Sequence, residues 1–349
     1  MSIHTIKPAD WMDDDWERSQ AALEGMGDGL PLVVPTPARV EAMLKAVGAN
    51  GSEAIAVLAP AFGEATWRNV AENAVMAGCL PEYLPVVAAA AAAVAKDEYN
   101  LLGIQTTTGN AAPMLIVNGP VALRIGMNAA GNALGPGNRA NATIGRALRL
   151  VLQNVAGAKP GEMDMATLGH PGKYTCAFAE NEAASPWPPF HTTRGYTREQ
   201  SVVTVLGCSG FIEVVDSTSA KPEDLIRTFA SSMVFAGSVG QTGIVASGQP
   251  LLIMPPEHAE HFHREGWSRE DVQAALLREA TLPLERLSPA VRQRITEHRA
   301  STGEDIGAPV HIAHEAKDIL IVVAGGPGVK AAYVPTWSGS KAVSQLIRT

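Results

Sequence analysis

Residues 71–95 read AENAVMAGCLPEYLPVVAAAAAAVA and place the strongest local constraint on the chain. Helix-forming residues run to Ala77, Gly78 is a natural helix stop, and Pro81 suits the first turn of a second helix driven by the alanine run. Two helices therefore meet at a corner that holds Cys79. The position has two readings. At a helix N-terminus the free amides and the positive end of the dipole favour an anion, which makes Cys79 a candidate thiolate with a lowered pKa. Free cysteine is also among the most buried residue types, and a tight corner suits a small packed thiol.

With 349 residues the chain is long enough for two domains, and 46% hydrophobic against 18% charged residues is the balance of a globular protein. The net charge of −8 and the lack of any Lys/Arg run exclude a phosphate backbone as an expected partner. Residues 1–18 carry five acidic side chains and no apolar core, unlike a secretory signal. The apolar run Leu84–Ala95 falls short of the roughly 17–25 residues that span a bilayer. A cytoplasmic protein without membrane or nucleic-acid partners is expected. The three cysteines, Cys79, Cys176 and Cys208, lie far apart with no CxxC pair, arguing for reduced thiols rather than a disulfide framework.

The rhythm of elements predicts an α/β fold in two domains, each a small mixed or parallel sheet flanked by helices. Residues 1–30 form an acidic arm, 31–195 a helix-rich α/β domain, and 196–349 a second α/β domain. Thr36-Pro37 caps a helix, Ile55–Ala59, Met114–Val117, Tyr174–Ala179, Val202–Leu206, Leu251–Met254, Ile319–Val323 and Ala331–Val334 read as strands, and Ser268 with Asp271 is a near capping box.

Residues 126–157 are the least ordinary in composition. Asn128, Asn132, Asn138 and Asn141 stand among glycines ahead of an amphipathic helix built on Ile144, Leu148, Val151, Leu152 and Val155. Glycine allows close backbone approach, asparagine supplies donor and acceptor, and Arg139 adds a fork-shaped cation suited to a carboxylate. No Gly-Lys-Ser/Thr phosphate loop and no dinucleotide fingerprint is present. The alternative is a glycine-rich turn between close-packed helices.

Glu180 and Glu182 end the strand TCAFAENE, and His170 and His191 lie on flanking loops, a set fit for acid–base chemistry or for metal ligation. Surface carboxylates and histidines are the plainer reading. Gly207-Cys208-Ser209-Gly210 is a strand-to-loop junction of the kind where active residues sit. His258 and His261 share a helix face without an acidic residue at metalloprotease spacing. His263, His311 and His314 rank second as ligands.

The stretches LPLVVPTPARVEAML, NAVMAGCLPEYLPVV, GPGNRANATIGRALRL, GKYTCAFAENE followed by SPW, PPEHAEHFHREGWSREDV and DILIVVAGGPG together resemble a largely uncharacterised bacterial family loosely associated with UGSC-motif (seleno)proteins. The resemblance implies a metabolic enzyme of soil-type bacteria. The chain has no Cys-Gly-Ser-Cys, its nearest approach being Gly207-Cys208-Ser209-Gly210.

These readings converge on a small-molecule enzyme of lyase or hydrolase type, without an organic cofactor, for a small polar, carboxylate-bearing substrate. Cys79 attacks or protonates, Glu180 or Glu182 moves protons, and His258 closes the cleft. Asn73, Glu82, Tyr83, Asn132, Asn138, Arg139 and Asn141 bind the substrate. One alternative is a metal-dependent enzyme with Glu/His ligands. Another is a non-catalytic subunit of a complex. A homo-oligomer is expected in each case.

Overall fold

The computed structural model describes residues 19–21, 23–238 and 248–348. It is a mixed α/β fold organised by two four-stranded sheets. Most of the arm expected at 1–30 lies outside the described residues; its last part is tied to the body, with Asp28 gripped by Arg146 through two bonds of 2.7 Å.

The first element that lies wholly among the described residues is α1 (Pro37–Val47), where the Thr36 hydroxyl accepts from the Arg39 amide and Pro37 opens the first turn. A hairpin of β1 (Ala54–Leu58) and β2 (Gly63–Thr66) leads into α2 (Trp67–Ala77), started by a Thr66/Asn69 capping box and closed by Gly78 at φ 89°. After a single 3₁₀ turn, Pro81–Tyr83, comes α3 (Leu84–Val94). Its alanines explain its place: small side chains let nearly the whole helix be buried against α2, β5 and β12. Next are α4 (Leu101–Thr106), β3 (Ala112–Asn118), α5 (Pro120–Arg124), α6 (Arg139–Asn154) and a short β4 (Ala177–Ala179).

The later part holds β5 (Val202–Cys208), β6 (Ile212–Val215), α7 (Pro222–Met233), β7 (Leu251–Met254), α8 (Pro256–Arg264), α9 (Arg269–Glu279), β8 (Thr281–Leu282), α10 (Pro289–Thr302), β9 (Val310–His311), β10 (Leu320–Val323), β11 (Lys330–Val334) and β12 (Val343–Leu346). The expected capping box is present, with the Ser268 hydroxyl accepting from the Asp271 amide at the start of α9.

The first sheet has the order β12-β5-β3-β4 and the second β10-β7-β11-β6. In the first, β4 runs parallel to β3 while β5 and β12 run antiparallel to their neighbours. In the second, β10 is parallel to β7, and β11 is antiparallel to both β7 and β6. Alternation along the strands sorts their side chains into two faces. Leu115, Val117, Val203 and Val205 turn toward α2, α3 and α6, and Leu252, Met254, Ile321 and Val323 turn toward α7, α8 and α9. Met114, Ile116, Phe178, Leu206, Leu251, Ile253, Leu320 and Val322 fill a third cluster between the sheets. The layers are thus helices, sheet, sheet, helices, with a sheet-on-sheet seam at the centre.

The division expected at residue 195 does not separate the sheets. β5 and β12, both beyond it, complete the first sheet, because β3 needs an antiparallel partner along its full buried length. No described helix is long and apolar enough to cross a membrane.

Candidate functional site

The activated thiolate expected at Cys79 is corrected. The Cys79 amide bonds back to the Ala74 carbonyl at 2.9 Å, so the residue belongs to the cap that closes α2, and α3 begins only at Leu84. Its Sγ donates to the Thr143 carbonyl at 3.3 Å. Burial pushes the thiol up to about 12, outweighing the pull of Arg139 and Arg146. The small packed thiol is the reading the geometry favours. Asn73, on α2, is spent on the Asn69 carbonyl and the Asn154 amide, while Glu82 is exposed and Tyr83 buried, neither bonded to Cys79.

The Gly/Asn segment uses most of its polar groups on itself. Asn138 caps α6, accepting from the Asn141 amide at 3.0 Å and donating to the Gly126 carbonyl at 2.8 Å. The buried Asn141 side chain accepts from the Asn128 amide and donates to the carbonyls of Asn128 and Ala133. Arg139 donates to the Gly78 carbonyl at 3.0 Å. These bonds hold Asn138, Arg139 Nε and the Asn141 side chain within the fold, as the turn's own backbone groups need partners once buried, and Asn141 also borders the cleft described below. Asn132, at φ 62°, stands on the wall of the cleft described below.

Glu180 and Glu182 do come together, at the C-terminal ends of β3 and β4. The Asn118 side-chain amide donates to both carboxylates, the Gly119 amide donates to Glu182 at 2.7 Å, and the Phe190 amide donates to Glu180 at 2.6 Å. Arg269, the first residue of α9, reaches Glu180 at 3.4 Å and lies over the Trp187 ring. His191 Nδ1 faces Glu182 at 3.9 Å. Burial pushes the Glu180 carboxyl up to about 7 even though Arg269, the Phe190 amide and Asn118 pull it down. Asn118 Oδ1, His191 Nδ1 and Arg269 Nε are buried without protein partners among the described residues. The cluster is a closed knot in which Glu182 alone keeps appreciable exposure.

Four residues upstream of Glu180, Cys176 borders open space. A cleft of about 810 Å³ lies at the edge of the inter-sheet seam, walled by Thr175, Cys176 and Ala177 on one side and Ile253, Ala331 and Ala332 on the other. Its lining is mainly small and apolar, with Asn132, Asn141, Thr175, Glu213 and Lys330 as polar exceptions. Cys176 precedes β4 and Cys208 ends β5, on strands flanking β3, and both thiols turn into the seam. The neighbouring Cys208 thiol, together with burial, holds the Cys176 thiol well above its ordinary value. Cys208 Sγ in turn donates to the Gly210 carbonyl at 3.4 Å.

Two local features fix Cys176. Gly145 lets α6 press on the strand: a Cβ there would come 2.7 Å from the Cys176 amide nitrogen and 2.5 Å from the Thr175 hydroxyl. His170 packs behind the turn at Gly172, accepting from the Gly172 amide at Nδ1 and directing Nε2 to the Cys208 carbonyl at 3.3 Å. Nδ1 as acceptor places the ring proton on Nε2, and burial lowers the His170 pKa, so the imidazole is neutral.

His258 stands apart from both groups. Its Nε2 lies 3.1 Å from the Asp216 carbonyl and its ring packs edge-on against Phe229, on the buried face of α8 rather than along the cleft. The closing role expected of it is therefore not what its position provides. Among the described residues no group of three or more His, Cys, Asp or Glu side chains could hold a metal ion. No family model matches the chain, and no curated protein matches it.

Sequence reasoning passed over Cys176, Arg269 and Asn118 as site residues. The available signals were the strand-to-loop junction at Cys208 and the strand leading from Cys176 to Glu180. Nothing local announces Arg269, which reads as an ordinary residue after a helix cap.

Proposed function

We propose that the chain is a small-molecule enzyme of lyase or hydrolase type whose chemistry takes place in the inter-sheet cleft, with Cys176 as the reacting thiol. The observation that supports this most is the position of Cys176 on the wall of the cleft, with Cys208 behind it in the buried seam. A thiol held protonated on an apolar wall is suited to general-acid work. In the proposed hydrolytic step water adds to the substrate carbon as the bond to the leaving atom breaks; the leaving atom keeps the electron pair and takes the proton of Cys176. The thiolate left behind takes the proton that the added water gives up, which restores the thiol. The mainly apolar lining suits a compact organic body, and Lys330 on the rim offers a charge for a carboxylate.

Chloroacetate, a small carboxylate-bearing electrophile, tests the site directly. Mass spectrometry should find Cys176 modified ahead of Cys79 and Cys208, at a rate still rising with pH above about 9 because only the thiolate reacts. In a turnover screen of small carboxylates, esters and amides, Cys176→Ser should lose at least about 100-fold in rate with its melting temperature nearly unchanged. Preferential labelling of Cys79, or full turnover by Cys176→Ser, would sink the reading.

A further inference from the structure

A second cavity, of about 630 Å³, opens on the other side of the turn that carries His170 and Pro171, and Pro171 borders both spaces. Its charged lining is Asp28, Arg149, Asp164 and Lys173. Asp28 is already neutralised by Arg146, which bonds both of its oxygens. That leaves one carboxylate for two cations. Asp164 accepts from Lys173 Nζ at 2.6 Å through one oxygen and meets Arg149 Nη2 only at 3.5 Å through the other.

We propose that this cavity is a binding site for a small oxyanion, a carboxylate or phosphate group, held between Arg149 and Lys173. Arg149 is buried, and holding an ill-paired guanidinium away from water is costly unless another negative group shares the space. Its Nε is engaged by the Lys173 carbonyl, one Nη1 hydrogen by Gln105 and one Nη2 hydrogen by Asp164. Of the five N–H groups of a guanidinium this leaves one on each terminal nitrogen without a protein acceptor among the described residues. Lys173, only 15% exposed, gives a single N–H to Asp164 and keeps two for a ligand. A fork-shaped donor beside a mobile ammonium is the pairing that oxyanions take up.

Inorganic phosphate and acetate, titrated separately at constant ionic strength with chloride as the balancing ion, provide the test by calorimetry and thermal melting. Saturable binding of one or both in the wild-type protein is expected, and the stronger of the two assigns the ligand group. Lys173→Met should weaken binding at least about tenfold, the value of a lost charge-assisted hydrogen bond. Asp164→Asn keeps the shape and frees both cations, so it should bind about tenfold more tightly, an effect that a purely structural ion network does not produce. Absence of saturable binding in the wild type, or an Asp164→Asn protein folded by circular dichroism that binds no tighter, would overturn the site. Cys176→Ser should bind phosphate as the wild type does, so this result stands or falls separately from the chemistry assigned to the cleft.

Discussion

Cys176 and Glu180 stand at opposite ends of β4, about 13 Å apart along an extended strand, and their surroundings differ in kind. At the Glu180 end five polar or charged side chains, those of Asn118, Glu180, Glu182, His191 and Arg269, close on one another. At the Cys176 end there is little charge but an open cleft and a pair of thiols. The carboxylates carry the more familiar signature of acid–base chemistry, yet chemistry needs a place for a substrate. The cleft proposed here as that place lies at the other end of the strand. The knot at Glu180 acts instead as a joint: Asn181 between the two glutamates donates from its amide to the Val323 carbonyl, tying the first sheet to β10 of the second.

The largest effect expected from breaking this contrast comes from Arg269→Met. Removing the cation leaves Glu180 buried without its counter-charge, and urea unfolding at pH 8 should show a loss of about 3–5 kcal/mol. The loss should shrink at pH 5, where the carboxyl can take a proton. Turnover assigned to the cleft should persist wherever the variant remains folded.

A pH titration of stability sharpens the same comparison. The native Glu180 carboxyl sits at about 7 against an ordinary 4.5, so the folded state holds a proton that the unfolded chain has released. Stability from this group is therefore full below 4.5 and falls as pH rises to about 7. Glu180→Gln should remove most of that fall, which amounts to a few kcal/mol by the linkage relation. An unchanged pH profile in the variant would show that the joint does not hold the proton.

The smallest change belongs to the cleft. Gly145→Ala drives a methyl group into the Thr175–Cys176 backbone, and overpacking of this kind costs about 1–3 kcal/mol. Because the methyl pushes on Cys176 itself, chloroacetate labelling of that thiol should change rate by more than labelling of Cys79. Equal changes at both cysteines would mean that α6 does not position Cys176.

Much of the local structure was legible in the residues. Thr36-Pro37, Gly78 and Ser268 mark helix ends through the hydrogen bonds their own backbones need, and the β7 strand at Leu251–Met254 falls where its apolar run lies. The expected strand 174–179 is shorter, because Tyr174 still belongs to the end of a 3₁₀ turn that begins at Pro171. The site was legible only in part. Glu180, Glu182 and His191 were recognised as neighbours, since they follow one strand and one loop. Their partners Asn118 and Arg269 come from residues 62 positions before and 89 positions after Glu180, and no local pattern joins them.

The sequence by itself determined where helices start and stop, which strand faces are apolar, and that no phosphate loop of the nucleotide-binding kind is present. These follow from short-range forces: capping, dipoles and the alternation of side chains along a strand. Only the tertiary structure decided which cysteine meets open space. Cys79, Cys176 and Cys208 are equivalent by composition, and all three are buried. Desolvation and access depend on what the rest of the chain packs around a thiol, and they separate a corner filled by α2 and α6 from the edge of a seam between two sheets.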